Sequence, residues 1–128
     1  MISALTEGVK VSVVTEFQPE LSSPLQAHFV FTYRIAIENN SDHSVQLLRR
    51  HWVIYDSNGT VREVEGEGVV GQQPLLEPGE VHEYVSGCNL RSSMGKMTGT
   101  YLMERIMDGK TFRVTIPEFN MVVPYRLN

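Results

Sequence analysis

Arg49-Arg50-His51-Trp52 is the one basic cluster in the chain. Two guanidinium forks beside an imidazole suit the capture of an anion or of a partner's acidic side chain. Alternation along an extended strand sets Arg49 and His51 on one face and Arg50 and Trp52 on the other. The plain counterpart is cross-strand pairing with Glu63, Glu65 or Glu67. Next comes Gly66-Glu67-Gly68-Val69-Val70-Gly71, which matches G-x-G-x-x-G. In a dinucleotide fold those glycines bring backbone N–H groups to a pyrophosphate at a helix N-terminus. Here Gln72-Gln73-Pro74 follows instead of an amphipathic helix, and Glu65 and Glu67 repel phosphate. The pattern therefore reads as a loop or bulge in which positive φ or close packing excludes side chains.

Other chemistry is sparse. His28, His43, His51 and His82 show no metal-ligand spacing, so neither a metal nor another cofactor is expected. Ser86-Gly87-Cys88 lacks the setting of a nucleophile elbow and reads as ordinary strand-end sequence. Cys88 is the only cysteine, which precludes an internal disulfide and fits a reducing, cytoplasmic setting. A solitary cysteine behaves as a small core hydrophobe.

The elements that must position these residues have period two. Phe29, Phe31, Tyr33, Ile35 and Ile37 alternate with more polar neighbours, the mark of an antiparallel strand with one buried face. Val9, Val11 and Val13 repeat the pattern. Val45 to Tyr55 is apolar on both sides in places and reads as a central strand, with Trp52 filling the space between sheets. Ser57-Asn58-Gly59 turns it back into Val61–Val64. That hairpin brings Arg50 near Gly66 or Gly68, so Arg50, His51, Gly66, Gly68 and Gly71 form the candidate binding patch. Val81–Val85 follows Pro78-Gly79, and Met97–Met107 pairs with Thr111–Ile116 across Asp108-Gly109. Pro117 and Pro124 are expected to limit central pairing near the end. Glu16 to Gln26 is expected to be the most mobile loop. About seven or eight strands with regular turns predict an all-β, two-sheet antiparallel sandwich, immunoglobulin-like or fibronectin type III-like.

Size and charge narrow the function. The 128 residues suit a single domain, with 41% hydrophobic and 20% charged residues. A formal net charge of −4 gives no general attraction to nucleic acid or anionic membranes. The first eight residues do not read as a signal peptide. No window approaches the roughly 20 apolar residues that cross a bilayer, so no direct membrane insertion is expected.

Taken in order, several segments resemble the ApaG family. They are Arg49-Arg50-His51-Trp52, Asp56-Ser57-Asn58-Gly59, Gly66 to Pro74, Leu76-Glu77-Pro78-Gly79-Glu80, Tyr84-Val85-Ser86-Gly87-Cys88, Met97-Thr98-Gly99-Thr100-Tyr101 and Ile116-Pro117-Glu118-Phe119. The resemblance spans about residues 6 to 126 and departs at Ser92-Ser93, where the family pattern has Thr-Pro. It implies a single domain with a fibronectin-type sandwich. It also carries a cobalt and magnesium efflux label of genetic origin, and relatives in larger proteins look like partner-binding modules. No catalytic residues transfer. The leading expectation is a non-enzymatic binding module for a protein partner or small anion, with homo-oligomerisation left open. The alternative is a nucleotide-, phosphate- or metal-handling protein that uses the Gly66–Gly71 loop.

Overall fold

The computed structural model describes residues 1–124. Among the described residues nine strands run in chain order: β1 Ile2–Thr6, β2 Val9–Phe17, β3 Phe29–Asn39, β4 Val45–Asp56, β5 Val61–Glu67, β6 Leu75–Leu76, β7 Val81–Leu90, β8 Met94–Arg105 and β9 Thr111–Val122. They form two antiparallel sheets, β1-β2-β3-β7 and β5-β4-β8-β9, with the short β6 also paired to β4. This is the expected all-β sandwich. The upper end of the expected core, near residue 126, lies outside the described residues.

Alternation builds the core. β3 buries Phe29, Phe31, Tyr33, Ile35 and Ile37, and β2 buries Val9, Val11 and Val13. The facing sheet contributes Trp52 and Ile54 from β4, Met97, Tyr101 and Met103 from β8, and Val114, Ile116, Phe119 and Met121 from β9. A bulge between Leu47 and Arg49 resets the phase of β4. Val45 and Leu47 are buried before it at odd positions, and Trp52 and Ile54 after it at even ones. One extra residue therefore keeps both halves of a long strand facing the core and turns Arg50 inward with Trp52.

Three features differ from the sequence expectation. First, β1 was not foreseen. Glu7 and Gly8 adopt φ of 46° and 84° between the paired Thr6 and Val9, the two-residue turn whose twist matches a hairpin. Second, Glu16 to Gln26 is organised. β2 runs to Phe17, and two 3-10 turns follow at Pro19–Leu21 and Pro24–Gln26. The Ser22 hydroxyl donates to the Gln18 carbonyl at 2.7 Å and accepts from the Val30 amide at 2.8 Å. Third, β7 extends to Leu90 because it has the whole of β3 to pair with. The expected limit on central pairing at Pro117 holds. A register shift opposite Met97 and Gly99 absorbs it, and β9 lies on the outer edge of its sheet, where a missing N–H breaks no ladder bond on the free side.

The two lateral openings of the sandwich are unlike. At one, the Thr115 amide donates to Thr6 Oγ1 at 3.2 Å and joins β9 to β1. At the other, the free edges of β5 and β7 stand apart. One end is tied by Asp56, whose carboxylate accepts from the Arg91 amide at 2.7 Å and from the Ser92 hydroxyl. Ser92 thus keeps the hydroxyl that the threonine of the family pattern would supply.

Candidate functional site

The opening between β5 and β7 collects most of the chemistry. β5 pairs with β4 in the register Arg50↔Gly66, Trp52↔Val64 and Ile54↔Arg62. Its inward residues are therefore Arg62, Val64 and Gly66, and its outward residues Glu63, Glu65 and Glu67. A cleft of about 190 Å³ lies between the edges, with Tyr33, Trp52 and Met97 beneath it and Arg62, Ser86 and Cys88 on its walls. Arg62 spans it by donating to the Asn89 carbonyl.

Arg50 lies beyond the cleft lining, two residues along the same face of β4 from Trp52 and opposite Gly66. Its guanidinium lies directly over Gly66. A Cβ there would sit 3.0 Å from Nη1 and 3.1 Å from Nη2, so the glycine makes room for the arginine. Nη1 donates to the Glu67 carbonyl at 2.9 Å and the Gly68 carbonyl at 3.0 Å. Nε and Nη2 have no hydrogen-bond partner among the described residues. Arg50 thus pairs with carbonyls rather than with Glu65 or Glu67. His51, on the other face, is the residue that meets a glutamate, with Nε2 3.6 Å from Glu63 Oε2.

Three phenols share the interior near Arg50. The Tyr84 and Tyr101 hydroxyls are hydrogen-bonded to each other. Burial pushes both well above the ordinary phenol range, and the positive charge of Arg50 offsets only part of it. Burial raises Tyr33 in the same way. All three remain neutral hydroxyls at physiological pH.

The glycine pattern serves its own turn. Gly68 has φ 63°, and a Cβ on it would lie 2.3 Å from the Gln72 carbonyl oxygen. Val69 and Gln72 exchange backbone hydrogen bonds of 2.8 and 3.0 Å across Val70 and Gly71, whose φ values are 47° and 76°. The Gly68 amide is held by the Leu48 carbonyl at 2.9 Å. Three amides of the loop are thus turned onto the protein, and strand β6 follows rather than a helix. Val70 is a β-branched residue in the left-handed region, 63% exposed, a conformation such side chains seldom adopt.

The structure therefore unites Arg50, Gly66 and Gly68. It leaves His51 on the opposite face of the sheet and Gly71 at the loop tip, with nothing within 4 Å of its Cβ position. Sequence reasoning missed Arg62, although period two from Gly66 through Val64 signals it. Nothing in the sequence signals the contact between Tyr84 and Tyr101.

A larger hollow of about 410 Å³ opens elsewhere beside Tyr55, Met94, Lys96 and Asn120. Its lining cation is already engaged, with Lys96 Nζ 3.6 Å from Glu118 and 5.1 Å from the Tyr55 ring centroid. Among the described residues no three histidine, cysteine, aspartate or glutamate side chains gather as a metal site.

Cys88 lines the cleft at 8% exposure, with Arg62 Nη2 3.7 Å from its sulfur. Burial raises the thiol above its ordinary range, and the Arg62 charge offsets only part of that. Alkylation by iodoacetamide at pH 8 should accordingly be on the order of tenfold or more slower in the native protein than in denaturant. Equal rates would show an open, activated thiol.

Comparison with known proteins agrees with this architecture. Residues 19–105 match the ApaG domain. Protein ApaG of Anaeromyxobacter dehalogenans (strain 2CP-C) is 49% identical over 128 residues, covering all of both chains. Protein ApaG of Paramagnetospirillum magneticum (strain ATCC 700264 / AMB-1) is 47% identical over 131 residues, again covering all of both. The crystal structure of the putative ApaA protein from Bordetella pertussis superposes with a TM-score of 0.87 at 46% identity, covering 91% of this chain and 94% of that one. With its domain matched and its full length shared, this chain belongs to the ApaG domain family.

Proposed function

We propose that the chain is a non-enzymatic binding module whose β5–β7 cleft receives an apolar side chain and an adjacent carboxylate from a partner protein. The observation that carries this reading is the pair of uncommitted Arg50 donors, Nε and Nη2, one inward position along β4 from Trp52, which floors the cleft. Nη1 is anchored on two carbonyls, so the fork is held in place before a ligand arrives, which lowers the ordering cost of binding. A volume of about 190 Å³ is below the roughly 300–1,000 Å³ of small-molecule pockets and suits one side chain better than a dinucleotide. The self-bonded glycine loop also favours this reading over nucleotide or phosphate handling at Gly66–Gly71. A small free anion would use the same Arg50 donors. Any link to cobalt or magnesium efflux then runs through the partner. A buried free thiol supports a reducing, cytoplasmic setting.

Selection from a random peptide display library tests the proposal. Peptides that place Asp or Glu beside an apolar residue should be enriched. Arg50→Gln, which keeps an amide donor for the Glu67 or Gly68 carbonyl, should lose that acidic preference with little change in thermal midpoint. Enrichment without acidic residues, or enrichment unaffected by Arg50→Gln, would reject it.

A further inference from the structure

The outer face of the second sheet holds a separate basic pair. Register places Arg49, Leu102 and Arg113 in one row across β4, β8 and β9. The two arginines are two strands apart, about 10 Å between backbones, and their long arms rise on either side of Leu102. Both are exposed. Neither is in an ion pair among the described residues, where Lys96 pairs with Glu118 and Arg105 with Asp108 and the His51 ring approaches Glu63. The next row carries His51 and Thr100, and a small hollow of about 30 Å³ is lined by Arg49, Arg50, Thr100, Leu102 and Arg113, with His51 and Glu65 at its β5 side.

We infer that Arg49 and Arg113 form a binding site for a phosphate dianion, distinct from the Arg50 cleft. Two unpaired forks on opposite sides of one residue need acceptors presented in two directions. A single carboxylate fills one fork, whereas a tetrahedral dianion addresses both. The hollow admits one oxygen-sized group, with the Thr100 side chain at its wall. Glu65 lies one strand beyond β4, in register with His51. It confines the anion to the β4–β8–β9 side and weakens its binding. Sequence reasoning could not reach this pair, because Arg113 is brought beside Arg49 only through the β8 register. Arg50 borders the hollow, but its guanidinium is held over Gly66 by the Glu67 and Gly68 carbonyls, and alternation sends the Arg49 and Arg50 side chains to opposite faces of the sheet.

Amide-detected NMR titration with inorganic phosphate, at constant ionic strength maintained with chloride, tests the inference. Saturable shifts are expected at Thr100, Leu102 and Arg113. Arg49→Ala and Arg113→Ala should each weaken binding about tenfold. Glu65→Gln should tighten it severalfold, and Arg50→Gln should leave it unchanged. Phenyl phosphate run in parallel distinguishes the source: tighter binding than inorganic phosphate marks a phosphomonoester, and weaker binding marks the free ion. Shifts that do not saturate, that chloride reproduces, or that survive Arg113→Ala in a folded protein would overturn the inference. Loss of phosphate binding in Arg50→Gln would overturn the separation of the two sites while leaving the cleft reading intact.

Discussion

Trp52→Ala is expected to lower the unfolding free energy by about 3–5 kcal/mol, the range for removing a large aromatic from a core. Trp52 is 2% exposed and sits where the two sheets meet. Its ring contacts Tyr33 at a centroid distance of 5.4 Å and Phe119 at 6.0 Å, the latter nearly edge-on at 88°. Gly99 on β8 is shaped to it: a Cβ there would lie 2.8 Å from the indole and 2.6 Å from the His51 carbonyl oxygen. Truncation would leave a void bounded by two aromatic rings and a strand with no side chain to fill it. With total stabilities of about 5–15 kcal/mol for such domains, the variant should sit close to unfolding at room temperature. Urea titration followed by circular dichroism measures this, since Trp52 is the only tryptophan and its fluorescence is lost with it. A loss below about 1 kcal/mol would place Trp52 outside the load of the core.

Asn39→Leu is expected to cost a similar amount, about 3–5 kcal/mol, through hydrogen bonds rather than volume. Asn39 is fully buried at the end of β3. Its Nδ2 donates to the His43 carbonyl at 2.8 Å and the Leu76 carbonyl at 2.9 Å. Its Oδ1 accepts from the Ser41 amide at 3.0 Å and the Ser41 hydroxyl at 2.6 Å. The side chain thus uses both donors and both lone pairs to join the β3–β4 turn to β6. Leucine fills the space and abandons every partner, each at a cost of about 1–3 kcal/mol where water cannot replace it. Asn39→Asp separates the causes. An ionised carboxyl facing two carbonyls is disfavoured, so its folded pKa rises above the unfolded value. The variant should therefore be most stable at low pH and lose stability as pH rises through that folded pKa. Equal stability of Asn39→Leu and the wild type in denaturant would show that water reaches the turn.

The sandwich was legible because its evidence is local. Phe29 to Ile37 alternates without interruption, and the Asn58-Gly59 and Asp108-Gly109 turns pair neighbours a few residues apart. Period two alone turned Arg50 toward Trp52 and Arg49 away from it. The glycine pattern was also legible as a loop, because Gln72-Gln73-Pro74 and no amphipathic helix follow Gly71.

What the chain order could not supply was contact between distant strands and the phase of long ones. The bulge at Leu47 to Arg49 appears only when β4 is paired with β8, since either phase buries apolar residues somewhere along Val45–Tyr55. The shift that absorbs Pro117 depends on which edge of β9 is left free. Composition and alternation determined that two apolar faces would form and pack. Tertiary pairing decided which edges stayed open, that the Arg50 guanidinium would bond the Glu67 and Gly68 carbonyls rather than a glutamate carboxylate, and that Arg113 would stand one strand from Leu102 and two from Arg49. The physical reason is that side-chain direction follows from backbone geometry residue by residue, whereas register is set by whole strands matching over their length.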